Sequence, residues 1–156
     1  MMRRLTACLL AAALLLPLTS WPAEGADSFV LQVLLYPEGD LLWQVPVRPG
    51  EFFRLQYTHS SDGTPVRDIF RVEEDGHFVI LEEHYLWYGA GLESHPQAII
   101  SFDGDYTRVT VNRRHEQLLL RVGRVSNQEI LSGDSRISLA ELAPGGSLIR
   151  IRIAKR

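Results

Sequence analysis

Alternation of apolar and polar residues is the feature that most limits the folds open to this chain. Near the C-terminus, for example, Ile149 and Ile151 alternate with Arg150 and Arg152. Successive side chains of a strand point to opposite faces of its sheet, so a period of two is typical of half-buried β-strands. No stretch keeps an apolar stripe at helical spacing for three turns. The sequence therefore predicts an all-β protein.

Turn residues separate the alternating segments at short intervals, with Asp-Gly pairs at Asp62, Asp75 and Asp103. Many short strands with frequent turns indicate a single antiparallel sandwich or barrel, here of about eight or nine strands. A short helical turn is expected over residues 138–142. The predicted strands are Phe29–Tyr36, Leu41–Val47, Phe52–His59, Val66–Glu73, His77–Tyr88, Ala98–Phe102, Tyr106–Asn112, Gln117–Val122 and Ser147–Ile153.

The first residues have the layout of a secretory signal peptide. Arg3 and Arg4 precede an apolar run that ends at Leu18, and small residues follow it. An uncleaved membrane anchor is the alternative, but the run is shorter than the roughly 20 residues that span a bilayer. We therefore predict a signal peptide of residues 1–25, a single mature domain of residues 26–156, and export to the periplasm or the extracytoplasmic face.

Cysteine content and charge exclude several classes of protein. Cys8 is the only cysteine and would leave with the signal peptide, which rules out disulfides, cysteine nucleophiles and cysteine zinc sites in the mature domain. Export without disulfides fits a bacterial periplasm. With 16 basic and 19 acidic residues, the chain has no basic surface for nucleic acid.

Two predicted hairpins place polar side chains on one face. A two-residue turn at Asp62-Gly63, in the stretch QYTHSSDGTPV, and a second turn at Asp75-Gly76 fix the partners across the strands. The predicted pairs are Phe53 with Val72, Leu55 with Phe70, Tyr57 with Asp68 and His59 with Val66 in the first hairpin, and Val72 with Val79, Phe70 with Leu81, Asp68 with Glu83 and Val66 with Tyr85 in the second.

This register puts Tyr57, His59, Asp68 and Glu83 together on the inner face. Opposed carboxylates repel each other, and burying them unpaired is costly. A proton shared between the two acids, an arginine or a bound cation must compensate. Oxygen ligands would suit a calcium-like cation at Asp68 and Glu83.

Two alternatives to a ligand or cation site stay open. In the first, Tyr57 and His59 satisfy Asp68 within an internal network, and Arg121 or Arg124 neutralises Glu83. In the second, a one-residue slip of the second hairpin brings Glu82 inward.

Neighbouring features could complete a site, but they do not indicate a hydrolase. Asp62 and the loop containing Gly89 and Gly91 could frame the mouth of the cluster. His59 and Ser60 are adjacent on a strand and point to opposite faces, and the chain has no Gly-x-Ser-x-Gly elbow. We expect no enzymatic activity.

Several short motifs together resemble a known bacterial family. They are Phe53–Ser60, Thr64–Val66, Gly89–Leu92 and Arg121–Asn127. The chain resembles a family of exported domains of unknown function that are associated with, or fused to, TAXI-type TRAP transporter permeases. The resemblance implies an exported, transporter-linked setting and brings no enzymatic activity with it. Through the last motif, Asn127 joins the proposed site.

We therefore expect a non-enzymatic extracytoplasmic accessory or ligand-binding module of a TRAP-type solute uptake system. Its partners would be the permease or its substrate-binding protein, with a small solute or a cation as ligand. The alternative is a structural domain that docks on a permease or binding protein and has no small-molecule site. The predicted ligand-binding residues are Tyr57, His59, Ser60, Asp62, Asp68, Glu83, Gly89, Gly91 and Asn127.

Overall fold

A computed structural model describes residues 29–86 and 98–156. The predicted signal peptide and the loop with Gly89 and Gly91 lie outside this range, so those predictions stay predictions. The described part holds eleven strands and one short helix: β1 Phe29–Leu35, β2 Leu41–Val47, β3 Phe52–Thr58, β4 Pro65–Val72, β5 Phe78–Tyr85, β6 Ile99–Asp103, β7 Tyr106–His115, β8 Gln117–Arg121, β9 Glu129–Ser132, β10 Ser135–Ser138, α1 Leu139–Leu142 and β11 Leu148–Lys155.

The strands form two antiparallel sheets that pack on each other as a sandwich. The smaller sheet has the order β2-β1-β11-β8, and the larger has the order β10-β9-β3-β4-β5-β7-β6. This confirms the all-β prediction, and of the two predicted architectures, sandwich and barrel, the fold is the sandwich. No helix within the described residues is long and apolar enough to cross a membrane.

Apolar side chains from both sheets fill the space between them. Leu31 and Ile151 of the smaller sheet are fully buried. Across from this sheet, the Phe53 and Phe70 rings stack with centroids 4.7 Å apart, and Phe78 packs edge-on against both. Aromatic pairs in these geometries add stability beyond their buried area.

The β9–β10 hairpin was missed by the sequence prediction. Its strands have four residues each, EILS and SRIS, joined at Gly133-Asp134. Four residues give too little alternation to separate a strand from a loop. The hairpin extends the larger sheet beyond β3, where Leu55 pairs with Ile130. The helical turn predicted next to it is confirmed as α1.

The predicted register of the first hairpin was wrong by two residues. Its tip is a four-residue loop, because the His59 amide donates to the Thr64 carbonyl at 2.8 Å. Asp62 stabilises this loop by accepting hydrogen bonds from the Thr64 amide and hydroxyl. A shift of two keeps every side chain on its predicted face. The observed pairs are Phe53 with Phe70, Leu55 with Asp68, Tyr57 with Val66 and Thr58 with Pro65.

The second hairpin follows the predicted register only over part of its length. Asp68 pairs with Glu83 and Val66 pairs with Tyr85, as predicted. Nearer the turn, a β-bulge shifts the register, so that Val72 pairs with Phe78 and Phe70 pairs with Ile80 instead of Val79 and Leu81. The extra residue lets the even-numbered Phe78 and Ile80 and the odd-numbered Glu83 and Tyr85 all point inward. The slip that would have brought Glu82 inward does not occur.

Candidate functional site

Asp68 and Glu83 lie opposite each other on the inner face of the larger sheet. Their row runs from Leu55 on β3 through the two acids to Val109 on β7. Asp68 is 9% exposed and Glu83 is 7% exposed. Two carboxyl groups are therefore buried side by side between apolar neighbours.

A proton on Asp68 is the compensation that the surroundings favour. Burial and, second, the neighbouring Glu83 raise the pKa of Asp68 to about 8, so Asp68 is protonated at neutral pH. The Tyr85 hydroxyl donates to Glu83 Oε2 at 2.6 Å. The pKa values of Tyr57 and Tyr85 are raised, mainly by burial and also by both acids, so each phenol keeps its proton as well.

Two other ways to compensate the acids, neutralisation of Glu83 by an arginine and binding of a cation between the acids, have less support. Arg121 Nη1 donates to the Gly146 carbonyl at 2.6 Å. Glu82 faces the other side of the sheet, where it contacts His84 at 2.8 Å and Arg108 at 3.6 Å. Within residues 29–86 and 98–156, no group of three or more His, Cys, Asp or Glu side chains is placed to hold a metal ion.

At the end of β3, the imidazole of His59 is fixed from one side. Its Nδ1 lies 2.9 Å from Ser61 Oγ and 3.3 Å from Asp62 Oδ1. The two hydrogen bonds from Thr64, ahead of the His59 contact, lower the pKa of Asp62 and keep it ionised. Asp62 therefore orients His59 from within the hairpin loop and leaves Nε2 as the nitrogen available to a ligand.

Residues 122–128, called here the 122–128 loop, fold against the same end of β3. The Thr58 amide donates to the Ser126 carbonyl at 2.6 Å. Gln128 braces the loop, since its Oε1 accepts from the Gly123 amide at 2.7 Å and its Nε2 donates to the Arg121 carbonyl at 3.2 Å. Two segments far apart in sequence thus meet.

Close packing around this loop requires glycine at two positions, one in the loop and one in the segment that packs against it. A Cβ on Gly123 would come within 1.8 Å of Ser126 Oγ, and one on Gly145 would come within 2.7 Å of Arg124 Cγ. Real Cβ atoms do not approach other atoms so closely. The lack of a side chain at Gly123 therefore leaves room for Ser126, and the lack of one at Gly145 leaves room for the aliphatic stem of Arg124.

A pocket of about 270 Å³ lies between the end of β3 and the 122–128 loop. We call it the His59 pocket. On the other side of Tyr57 and Thr58 lies a second pocket of about 210 Å³ that includes Asn127, Arg67 and Glu129. Tyr57 lines both pockets, and neither acid of the buried pair is among their lining residues. The residues of the His59 pocket used below are Tyr57, Thr58, His59, Ser60, Arg124, Val125 and Ser126.

The structure thus divides the predicted site into three groups. Tyr57, His59 and Ser60 meet at the His59 pocket, with Asp62 behind His59. Asp68 and Glu83 form the buried pair. Asn127 lies at the second pocket, with a positive φ of 44°.

Sequence reasoning missed three contributors to the His59 pocket: Gly123, Arg124 and Ser126. The motif that contains them had been singled out, but only Asn127 was taken from it as a site residue, and Arg124 was considered only as a partner for Glu83. Two local signals were available in the sequence. The first is the spacing of three residues between Gly123 and Ser126, and the second is Gln128, two residues after Ser126. What linked the motif to His59 is a contact between distant segments, which alternation and turn chemistry do not specify.

Comparison with known proteins identifies the family but no described relative. No curated protein and no solved structure matches the chain significantly. A family match covers residues 53–139, which include the hairpin, the buried acids, the 122–128 loop and the β9–β10 hairpin. This is more than half of the chain, which therefore belongs to the family described as Domain of unknown function (DUF1850).

Proposed function

We propose that this protein is a non-enzymatic extracytoplasmic module that binds a small solute in the His59 pocket. The observation that carries the proposal is the convergence of β3 and the 122–128 loop on one pocket. The 122–128 loop is held in a fixed shape by the hydrogen bonds of the Gln128 side chain, and the Thr58 amide ties it to the end of β3. Pockets with a few converging polar groups are where small ligands bind.

The chemistry at the pocket supports binding over catalysis. His59 is oriented by Asp62, but Ser60 follows it directly on the chain, and Ser61 Oγ contacts Nδ1, the nitrogen that faces Asp62. A serine nucleophile requires a base whose free nitrogen faces the hydroxyl while the other nitrogen is held. We therefore assign no nucleophile to this pocket.

A link to a TRAP-type uptake system is the second part of the proposal. It rests on the predicted signal peptide and on the resemblance of the hairpin and 122–128 motifs to transporter-associated domains. In this setting, the protein works beside the permease or its substrate-binding protein and takes up or passes on the transported solute. Biolayer interferometry against the purified permease and binding protein of the same organism tests this step.

Ligand binding is tested by a thermal-shift screen of residues 26–156 against small neutral, cationic and anionic solutes and against calcium, magnesium and zinc. Ligand that binds only the folded state raises stability by about 2.7 kcal/mol at a hundredfold excess over the dissociation constant. Ser60→Tyr should fill the pocket mouth and abolish the shift. Ser101→Tyr, at an exposed position on β6, is the matched control and should retain it.

A structural docking domain is the second candidate, and β6 favours it. This strand lies at the edge of the larger sheet next to β7. Three of its apolar side chains are exposed: Ile99 by 68%, Ile100 by 43% and Phe102 by 76%. An exposed apolar edge can accept a strand from a partner. If docking is the function, Phe102→Glu abolishes binding to the permease or binding protein, whereas Ser60→Tyr leaves it intact.

A further inference from the structure

The walls of the His59 pocket differ in charge from those of the pockets next to Asn127 and Gly50. The pocket next to Asn127 has Glu129 on its wall, and a larger one near Gly50 has Glu73, Glu74 and Asp75. The His59 pocket has no acidic residue among its lining residues, although the chain carries 19 acidic residues.

Arg124 is the positive charge on this wall. Arg124 is exposed, and some other arginines of the described part form ion pairs, such as Arg71 with Glu73 and Arg136 with Glu129. Within the described residues, no carboxylate lies at ion-pair distance from Arg124. Its stem is held against Gly145, where a Cβ would not fit. The chain thus holds the stem of an arginine in place without supplying an anion for it.

Ser126 adds a hydroxyl whose hydrogen-bonding capacity is unused. Its Oγ is buried, and no hydrogen-bond partner for it exists among the residues described. A buried hydroxyl without a partner is costly, and rotation of the Ser126 side chain from Gly123 toward the pocket would let a bound ligand remove that cost. The hydroxyl can donate to an anion, as can the Ser60 hydroxyl and an imidazole N–H of His59, which line the same pocket.

We propose that the His59 pocket binds a small solute through a carboxylate, with Arg124 supplying the charge and Ser126 a hydrogen bond. This inference rests on the proposed solute-binding function and names the ligand class. A single arginine matches the single charge of a carboxylate, and its planar donors fit two carboxylate oxygens. Tyr57 and Val125 provide apolar wall for the rest of the solute. A volume of about 270 Å³ limits that solute to the size of a small metabolite.

Isothermal titration calorimetry on residues 26–156 tests the ligand class with matched probes. The probes are acetate, propionate, lactate and succinate, the neutral amide of each acid, and inorganic phosphate. We expect one or more acids to bind, its amide to bind at least tenfold more weakly, and phosphate not to compete. Arg124→Gln should weaken the acid about tenfold or more, because a hydrogen bond to a charged group is lost. Arg48→Gln, which removes an exposed arginine outside the pocket, should leave affinity unchanged.

Three results would overturn the inference, and they separate it from the proposed function. Equal binding of an acid and its amide, with loss of both in Ser60→Tyr, would refute a carboxylate ligand but keep solute binding. Binding of phosphate in place of the acids would replace the carboxylate by another oxyanion. Absence of binding for every acid and amide, with wild-type folding confirmed by circular dichroism, would count against solute binding itself.

Discussion

At the scale of single residues, the buried pair of Asp68 and Glu83 is the most unusual feature of the protein. Two carboxyls at 9% and 7% exposure cannot both be ionised cheaply. The raised pKa of Asp68 means that the folded protein keeps a proton that the unfolded chain releases. Folding and protonation are therefore coupled at this position.

The coupling predicts the sign of a pH dependence. Below about pH 4, Asp68 is protonated in both the folded and the unfolded state. Between that value and its folded pKa of about 8, only the folded state holds the proton, so the free energy of unfolding falls as pH rises. Above the folded pKa, this contribution stays constant.

Replacing Asp68 by asparagine should remove most of this loss. Asp68→Asn keeps the shape of the side chain but has no titrating group, so its unfolding free energy should fall less between pH 5 and 8 than that of the wild type. We expect a difference on the order of 3 kcal/mol at pH 8. Urea unfolding at several pH values measures it.

The matched control for this experiment is Asp134→Asn, which changes an exposed aspartate in the turn between β9 and β10. It should leave the slope between pH 5 and 8 unchanged. A wild-type slope identical to that of Asp68→Asn over this range would contradict a protonated Asp68.

Gly123 offers a second test at the residue scale. Gly123→Ala places a methyl group within 1.8 Å of Ser126 Oγ and should destabilise the fold by about 1–3 kcal/mol, as overpacking does. Ser126→Ala removes that oxygen, although Ser126 Cβ would still lie at 2.9 Å. The double variant should therefore recover part of the loss in denaturant unfolding. Full additivity of the two changes would mean that Gly123 and Ser126 do not contact each other in solution.

At the scale of elements, one side chain braces the 122–128 loop, which packs on the end of β3. Gln128 bonds the backbone at Gly123 and at Arg121, while the Ser126 carbonyl receives the Thr58 amide. Gln128→Ala should therefore raise the hydrogen-exchange rates of the Gly123 and Thr58 amides. Loss of the two hydrogen bonds should cost about 1–2 kcal/mol.

Amides of β1 and β11 serve as the reference in that experiment, since these strands lie in the smaller sheet. Equal acceleration of exchange in β1, β11 and the loop would show that Gln128 supports the whole fold. Unchanged exchange at both loop amides would show that it does not brace the loop.

Nine of the eleven strands of the described part were predictable from the sequence to within a few residues, because alternation and turn residues are local signals; the four-residue strands β9 and β10 were missed. The register in which neighbouring strands pair was less predictable. At Asp62, hydrogen bonds to Thr64 widened the expected two-residue turn into a four-residue loop. In β5, the bulge at Leu81 and Glu82 shifts the pairing with both β4 and β7. It depends on packing against these two strands, so no local sequence pattern predicts it.

At the scale of the whole molecule, the sandwich brings together groups that are separate in sequence. The buried acids lie behind Tyr57, and the His59 pocket lies in front of it. Both acids contribute to the raised pKa of Tyr57, and Tyr57 also lines the His59 pocket. One side chain therefore connects the pocket with the buried pair. Sequence reasoning found the residues on β3, β4 and β5 because one hairpin pattern joins them. It named Arg124 only as a partner for Glu83 and did not find Ser126, because both residues approach the pocket across the fold.

Export is a prediction at the same scale. Expressed with its full sequence in a Gram-negative host, the protein should be recovered from the periplasm. Mass spectrometry should show that residues 1–25 have been removed, since the apolar run is too short for a stable anchor. A full-length protein retained in the membrane fraction would refute cleavage.

Amide chemical shifts during a titration test the central claim, that the His59 pocket is a ligand site. The titrant is the acid or amide that gives the largest thermal shift with residues 26–156. Binding at the pocket should move the amide signals of residues 57–60 and 122–128 and leave those of the Gly50 and Asp75 pocket unchanged. Saturable shifts confined to residues 49–50 and 71–75, or to β6, would contradict the claim and place the ligand elsewhere.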